Sequence, residues 1–156
     1  MSLADMKIIK MGIEHLDAVH ALEQECFAIP WSRDSIHKEI EDNPMAIYFV
    51  AEMDGAVVGY GGMWHVVNEG HITNVCVAEA QRNQGIGDML VQRLIAAAHE
   101  KEMIGLTLEV RVSNGSAQRL YTRNGFKPEG IRKNYYSETK EDAVVMWLNF
   151  LVEDGD

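Results

Sequence analysis

Two side chains able to move protons stand where a fold would hold them. In LTLEVRV (106–112), Leu106, Leu108, Val110 and Val112 take one face of an alternating strand. Thr107, Glu109 and Arg111 take the other. A carboxylate in the middle of a central strand loses water, which raises its pKa and suits it to act as a base. The same position serves equally as half of an ion pair with a neighbouring cation. In SAQRLYTRN (116–124), Ala117, Leu120 and Tyr121 share one helical face, so Tyr121 points inward. A phenol there is either a core side chain with a satisfied hydroxyl or a proton donor to a leaving group.

A third feature offers binding rather than proton transfer. In QRNQGIG (81–87), two glycines precede the amphipathic run DMLVQRLIAAAHE. Unpaired N–H groups and the positive end of the helix dipole make an anion site at such a helix start. Gly85 and Gly87 would let a phosphate approach the backbone, and Arg82 adds a charge. A tight strand-to-helix turn with no ligand has the same glycines. Asp88, Met89 and Leu90 follow Gly87, so the third glycine of a dinucleotide fingerprint is missing, and no Gly-Lys-Ser/Thr follows. A ligand here would be a phosphate ester held by another grip.

These residues need elements to position them. KIIKMGI (7–13) reads as a strand, and residues 14–27 as a helix with Leu16, Val19, Leu22 and Cys26 on one face. Ser32 reads as the N-cap of a second helix ending before Asn43-Pro44. Residues 46–53 and 56–66 form a hairpin about Asp54-Gly55. HITNVCV (71–77) is a strand entered across a loop containing Gly70. The helix from about Asp88 to Lys101 buries Ile86, Leu90, Leu94 and Ala98. Strand 106–112, a helix over 116–124 closed by Gly125, and two last strands complete the chain. The alternation favours an α/β (α+β) fold, a mixed sheet with a parallel pair in its middle.

Length and composition bound the function. The 156 residues suit a single domain, 1–156, with residues 1–5 as a disordered stretch or remnant and 152–156 as a frayed tail. The composition, 47% hydrophobic and 24% charged, is that of a soluble globular protein. No apolar run suggests a membrane span and no signal peptide opens the chain. The net charge of −10 argues against nucleic-acid binding and fits a cationic substrate better. Cys26 and Cys76 read as two lone thiols in a reducing cytoplasm. The six histidines show no metal-ligand spacing.

The chain resembles the GNAT superfamily of N-acetyltransferases, most closely the ribosomal-protein-alanine N-acetyltransferases. Arg82-Asn83-Gln84-Gly85-Ile86-Gly87 matches the R/Q-x-x-G-x-G/A pyrophosphate loop. Leu108-Glu109-Val110-Arg111, Ser113-Asn114, Ala117 through Leu120-Tyr121, and Gly125-Phe126 follow in the family's order. Pro30-Trp31-Ser32 and Arg132-Lys133-Asn134-Tyr135-Tyr136 also match. The resemblance implies a mostly antiparallel mixed sheet, splayed at its central parallel pair, with helices on both faces. It implies acetyl-CoA as donor and no metal. The pyrophosphate would sit on the backbone from Asn83 to Asp88. The pantetheine arm would pair like a strand with Val75, Cys76 and Val77 and touch Asn114. Glu109 falls on the general base, acting directly or through water, and Tyr121 on the acid that protonates the departing thiolate. A backbone N–H near Val77 would hold the oxyanion.

For the acceptor, the resemblance implies a peptide N-terminus held between the loop after Trp31 and the Tyr135-Tyr136 segment. A free α-amine, pKa ~7.7 to 8.0, is deprotonated more readily than lysine at ~10.4. The expected activity is acetylation of a protein N-terminus, the N-terminal alanine of a ribosomal protein. A small-molecule or lysine acetyltransferase and a non-catalytic acyl-CoA-binding module are the alternatives. His65, Glu69 and His71 could line the acceptor side or be strand-end surface. Cys76, beside the expected thioester, reads as a small buried residue, and transfer as direct.

Overall fold

The computed structural model of the protein describes residues 5–151. Residues 1–4 of the expected remnant, and the expected frayed tail 152–156, lie outside them. Strand β1 (Met6–Lys10) leads through a short 3-10 turn (Ile13–His15) into α1 (Leu16–Cys26). Helix α2 (Arg33–Glu41) starts at Ser32, whose hydroxyl accepts the Ser35 N–H at 3.0 Å. Strands β2 (Ala46–Met53) and β3 (Ala56–Val66) form the expected hairpin. Asp54 and Gly55 both take positive φ, the conformation a two-residue turn of this hand needs. Strand β4 (Glu69–Val77) starts two residues before the expected point. Gly70 is therefore a strand residue, not part of a loop, and only Val67 and Asn68 turn the chain.

After β4 the chain passes through α3 (Ile86–Glu100) to β5 (Gly105–Arg111), then α4 (Gly115–Arg123), β6 (Lys127–Tyr136) and β7 (Glu141–Asn149). Helix α4 stops where the sequence places its end, with Gly125 at φ +95. The seven strands form one sheet in the order β1-β2-β3-β4-β5-β7-β6. Every neighbouring pair is antiparallel except β4 and β5. The middle strands of the sheet are covered on both faces, while β6 is exposed along nearly its whole length. Leu90, Val91, Leu94 and Ala98 of α3 and Tyr121 of α4 pack with Leu106, Leu108 and Val110 on one face. Leu16, Val19 and Leu22 of α1 and Ile36 of α2 pack with Tyr48, Tyr60 and Cys76 on the other. Among the described residues no helix is long and apolar enough to cross a membrane.

The two cysteines are not separate thiols. Cys26, at the end of α1, and Cys76, in β4, are joined as a disulfide. They are remote in sequence. The buried stripe of α1, however, lays its last residue directly on the β4 face that carries Cys76, and Cα–Cα is 6.5 Å.

Candidate functional site

The parallel pair is short. Glu69, Gly70 and His71 align with Gly105, Leu106 and Thr107, and beyond them β4 and β5 share no register. Thr73 has no partner on β3, because the β3–β4 register shifts by one residue there. This bulge bends β4 away from β5. Past it, the Ala78 N–H donates to the Val58 carbonyl at 2.8 Å. Val58 with Ala78, and Tyr60 with Cys76, are therefore the hydrogen-bonded pairs of this antiparallel ladder. The N–H and C=O of Val75 and Val77 point the other way, into the gap. An open strand edge results, able to pair with an extended amide-bearing chain. Cys76 lines the gap, but its backbone is turned toward β3.

A cleft of about 720 Å³ occupies this gap. It is lined by Val75, Cys76, Val77, Arg82, Asn83, Gly85, Ile86, Gly87, Asp88 and Asn114, ten positions the sequence marks for the donor. Gln84, the remaining one, does not line it. In the loop, Asn83 and Gly85 take φ +66 and +84, and a Cβ at Gly85 would meet nothing within 4 Å. The N–H groups of Asn83, Gln84 and Gly85 find no backbone acceptor among the described residues. Those of Ile86 to Asp88 belong to the first turn of α3, whose first helical bond runs from Met89 to Gly85 at 3.1 Å. The backbone is a cradle for a polyanion.

The side chains around the cradle are partly committed. The Arg82 Nε donates to the Val77 carbonyl at 3.1 Å, holding its guanidinium along the cleft wall. Asp88 accepts from Arg123 at 3.0 Å and from Asn124 at 3.0 Å, and the Arg123 bonds pull its pKa below the usual carboxylate value. Its carboxylate ties α3 to α4, leaving only backbone for a ligand. Asn114 caps α4 by accepting the Ala117 N–H at 3.0 Å. Tyr121 does not line the cleft. Its ring meets Phe126 edge to face at 5.5 Å, just behind Leu120, which does line it. Burial pushes the phenol well above its ordinary value, and its hydroxyl makes no hydrogen bond among the described residues.

Glu109 follows two residues after Thr107, the last β5 position paired with β4. It faces the α1–α2 side of the sheet, because Leu108 and Val110 face α3. Its two oxygens lie 3.1 Å and 3.1 Å from Nε2 of His71, and the Tyr135 hydroxyl donates to Oε1 at 3.0 Å. The expected raised pKa is not found. The hydrogen bond to His71 outweighs desolvation and holds the carboxyl below its ordinary value. His71, expected as strand-end surface or acceptor lining, moves the opposite way: the Glu109 bond raises it above 6.5. Tyr136 packs edge-on against Tyr135 at 5.0 Å, and the Arg111 guanidinium lies 3.8 Å from its ring centroid. Tyr135 and Tyr136 thus reach the Glu109 site. Trp31 does not contact it; it lines a small space with Met11, Val19 and Tyr48.

Sequence reasoning missed Glu23. It is 1% exposed, accepts the Trp31 N–H at 2.8 Å and the Asn74 amide at 2.9 Å, and is raised in pKa by burial. This carboxylate pins the α1–α2 connection to β4. The signal was present: Glu23 stands four residues after Val19, on the apolar stripe of α1. Among the described residues, no three His, Cys, Asp or Glu side chains converge as a metal site requires.

Comparison with known proteins bears on this arrangement. The model of the acetyltransferase (GNAT) family matches residues 16–126. A Bacillus subtilis (strain 168) protein, provisionally designated a ribosomal protein bS18-alanine N-acetyltransferase, is 43% identical over 138 residues, 88% of this chain and 91% of its own. The Escherichia coli (strain K12) ribosomal protein bS18-alanine N-acetyltransferase is 32% identical over 135 residues, 85% of this chain and 90% of its own. The crystal structure of the Escherichia coli ribosomal-protein-S18-alanine N-acetyltransferase superposes with a TM-score of 0.85 at 28% identity, covering 97% of both chains.

Proposed function

The chain belongs to the acetyltransferase (GNAT) family, and on that premise we propose that it acetylates the α-amine of a protein N-terminus, the N-terminal alanine of a small-subunit ribosomal protein. It is an acetyl-CoA-dependent N-acetyltransferase. We assign the whole chain to one catalytic domain acting in the cytoplasm, where ribosomal proteins are made.

The observation that carries the reading is the position of Glu109 at the point where β4 and β5 part. The donor cleft opens beyond that point, and Tyr135 and Tyr136 stand on the acceptor side. The open edge at Val75, together with the Val77 N–H, suits the amide groups of a pantetheine arm. The loop from Asn83 to Asp88 suits the pyrophosphate. Either would bring the thioester to the mouth of the parallel pair. Glu109, at the family's general-base position, promotes loss of the proton from the amine. Tyr121, protonated throughout the physiological range, supplies one to the departing sulfur. An N–H near Val77 holds the developing oxyanion, a role typically worth ~10² to 10³ in rate. Tyr135, Tyr136 and the connection anchored at Trp31 frame the acceptor.

Replacing Glu109 by Gln tests the catalytic reading. With a peptide acceptor, kcat falls by about 10² or more while acetyl-CoA binds with unchanged affinity. Equal loss of binding and turnover would make Glu109 a structural carboxylate.

A further inference from the structure

We infer that the group receiving the proton from the acceptor amine is the imidazole of His71, with Glu109 as the carboxylate that orients it. The inference rests on the proposal that the amine is acetylated at this site, and adds the identity of the proton acceptor.

Access decides first. The Glu109 side chain is 7% exposed and that of His71 is 39% exposed. The two Glu109 oxygens face His71, and one also receives the Tyr135 hydroxyl. An incoming amine therefore meets the imidazole before the carboxylate. Tautomer decides second. Glu109 is ionised at neutral pH and only accepts, so Nε2 of His71 carries the hydrogen between them. In the neutral ring the lone pair then lies on Nδ1, which makes no hydrogen bond among the described residues. A histidine held by a carboxylate through one nitrogen, with the other free, is built as a base.

Basicity agrees. An amine of pKa ~7.7 to 8.0 gives its proton poorly to a carboxylate held low, and better to an imidazole held high. The groups acting on His71 are Glu109 from β5, Arg132 from β6 and Glu69 from its own strand. Glu109 dominates. On β3 the opposing residue is Trp64, which does not titrate.

In the step itself, Nδ1 takes one proton from the ammonium and His71 becomes the imidazolium. The freed lone pair forms the C–N bond to the thioester carbonyl carbon. The tetrahedral adduct then breaks its C–S bond, and sulfur leaves with the proton of Tyr121. The nitrogen, now bearing the acetyl group, gives its second proton to the Tyr121 phenolate. His71 returns its proton to water, so the products are the amide, free coenzyme thiol and one proton.

The test compares wild type, His71→Gln and Glu109→Gln on a peptide with a free N-terminal alanine, with kcat measured against pH. A base must be neutral, so wild-type kcat falls as pH drops through an inflection above 6.5. In His71→Gln, kcat is lower by about 10² and that inflection is gone, while acetyl-CoA affinity is unchanged. Added imidazole restores rate to His71→Ala. A His71→Gln enzyme within about threefold of wild type, with the inflection unmoved, overturns the inference. If wild type acetylates only small free amines, the N-terminus reading fails. The same variants assayed on that amine still decide the role of His71.

Discussion

Tyr121 illustrates how a residue can be chemically prepared without touching the open cleft. Its ring packs against Phe126, and its hydroxyl makes no hydrogen bond among the described residues. Removing that hydroxyl leaves the packing of the ring intact, so Tyr121→Phe is a clean probe. We expect kcat to drop by about 10² with little change in thermal stability. Stability and rate falling together would make the hydroxyl structural. Sequence placed Tyr121 and Glu109 correctly on their faces, because helical and strand periodicity report direction. It misjudged the pKa of Glu109, because the partner that lowers it, His71, lies on another strand 38 residues away. No spacing rule reports a contact across a parallel pair. Cys26 and Cys76 failed as lone thiols because their contact joins the end of a helix to a strand 50 residues away.

At the level of the element, the donor cleft follows from one bulge and one loop. The shift at Thr73 releases the β4 edge, and the left-handed turn through Asn83 and Gly85 aims backbone N–H groups into the opening. Replacing Gly85 by Ala keeps the space but not the conformation. The φ of +84 should cost about 1 kcal/mol with a Cβ present. Weaker acetyl-CoA binding at unchanged kcat is the expected signature, checked by calorimetry. Unchanged affinity would show that the loop backbone does not carry the donor. The loop was legible from its glycines and the strands from their alternation. The bulge was not, since a single unpaired residue leaves no mark in hydropathy. The expected loop around Gly70 proved to be strand, because a glycine paired on both sides looks in sequence like a turn residue.

For the molecule as a whole, the net charge of −10 shapes what arrives at the acceptor side. Peptides with arginines after the first residue should be drawn in by long-range attraction that salt screens. KM for such a peptide is expected to rise about threefold or more between low and 0.2 M salt, with kcat little changed. A KM indifferent to salt would remove charge as a recognition element. The family and fold were readable in advance, because the motifs around Gly85, Glu109 and Tyr121 follow one another in a fixed order along the chain.

The most direct measurement sets two peptides against each other with purified protein and acetyl-CoA. One has a free Ala-Arg N-terminus and no lysine; the other has a blocked N-terminus and an internal lysine. Thiol release and peptide mass are followed together. Acetylation of the free-N-terminus peptide alone is the predicted result. Acetylation of the lysine peptide, or of neither while acetyl-CoA still binds, would contradict it.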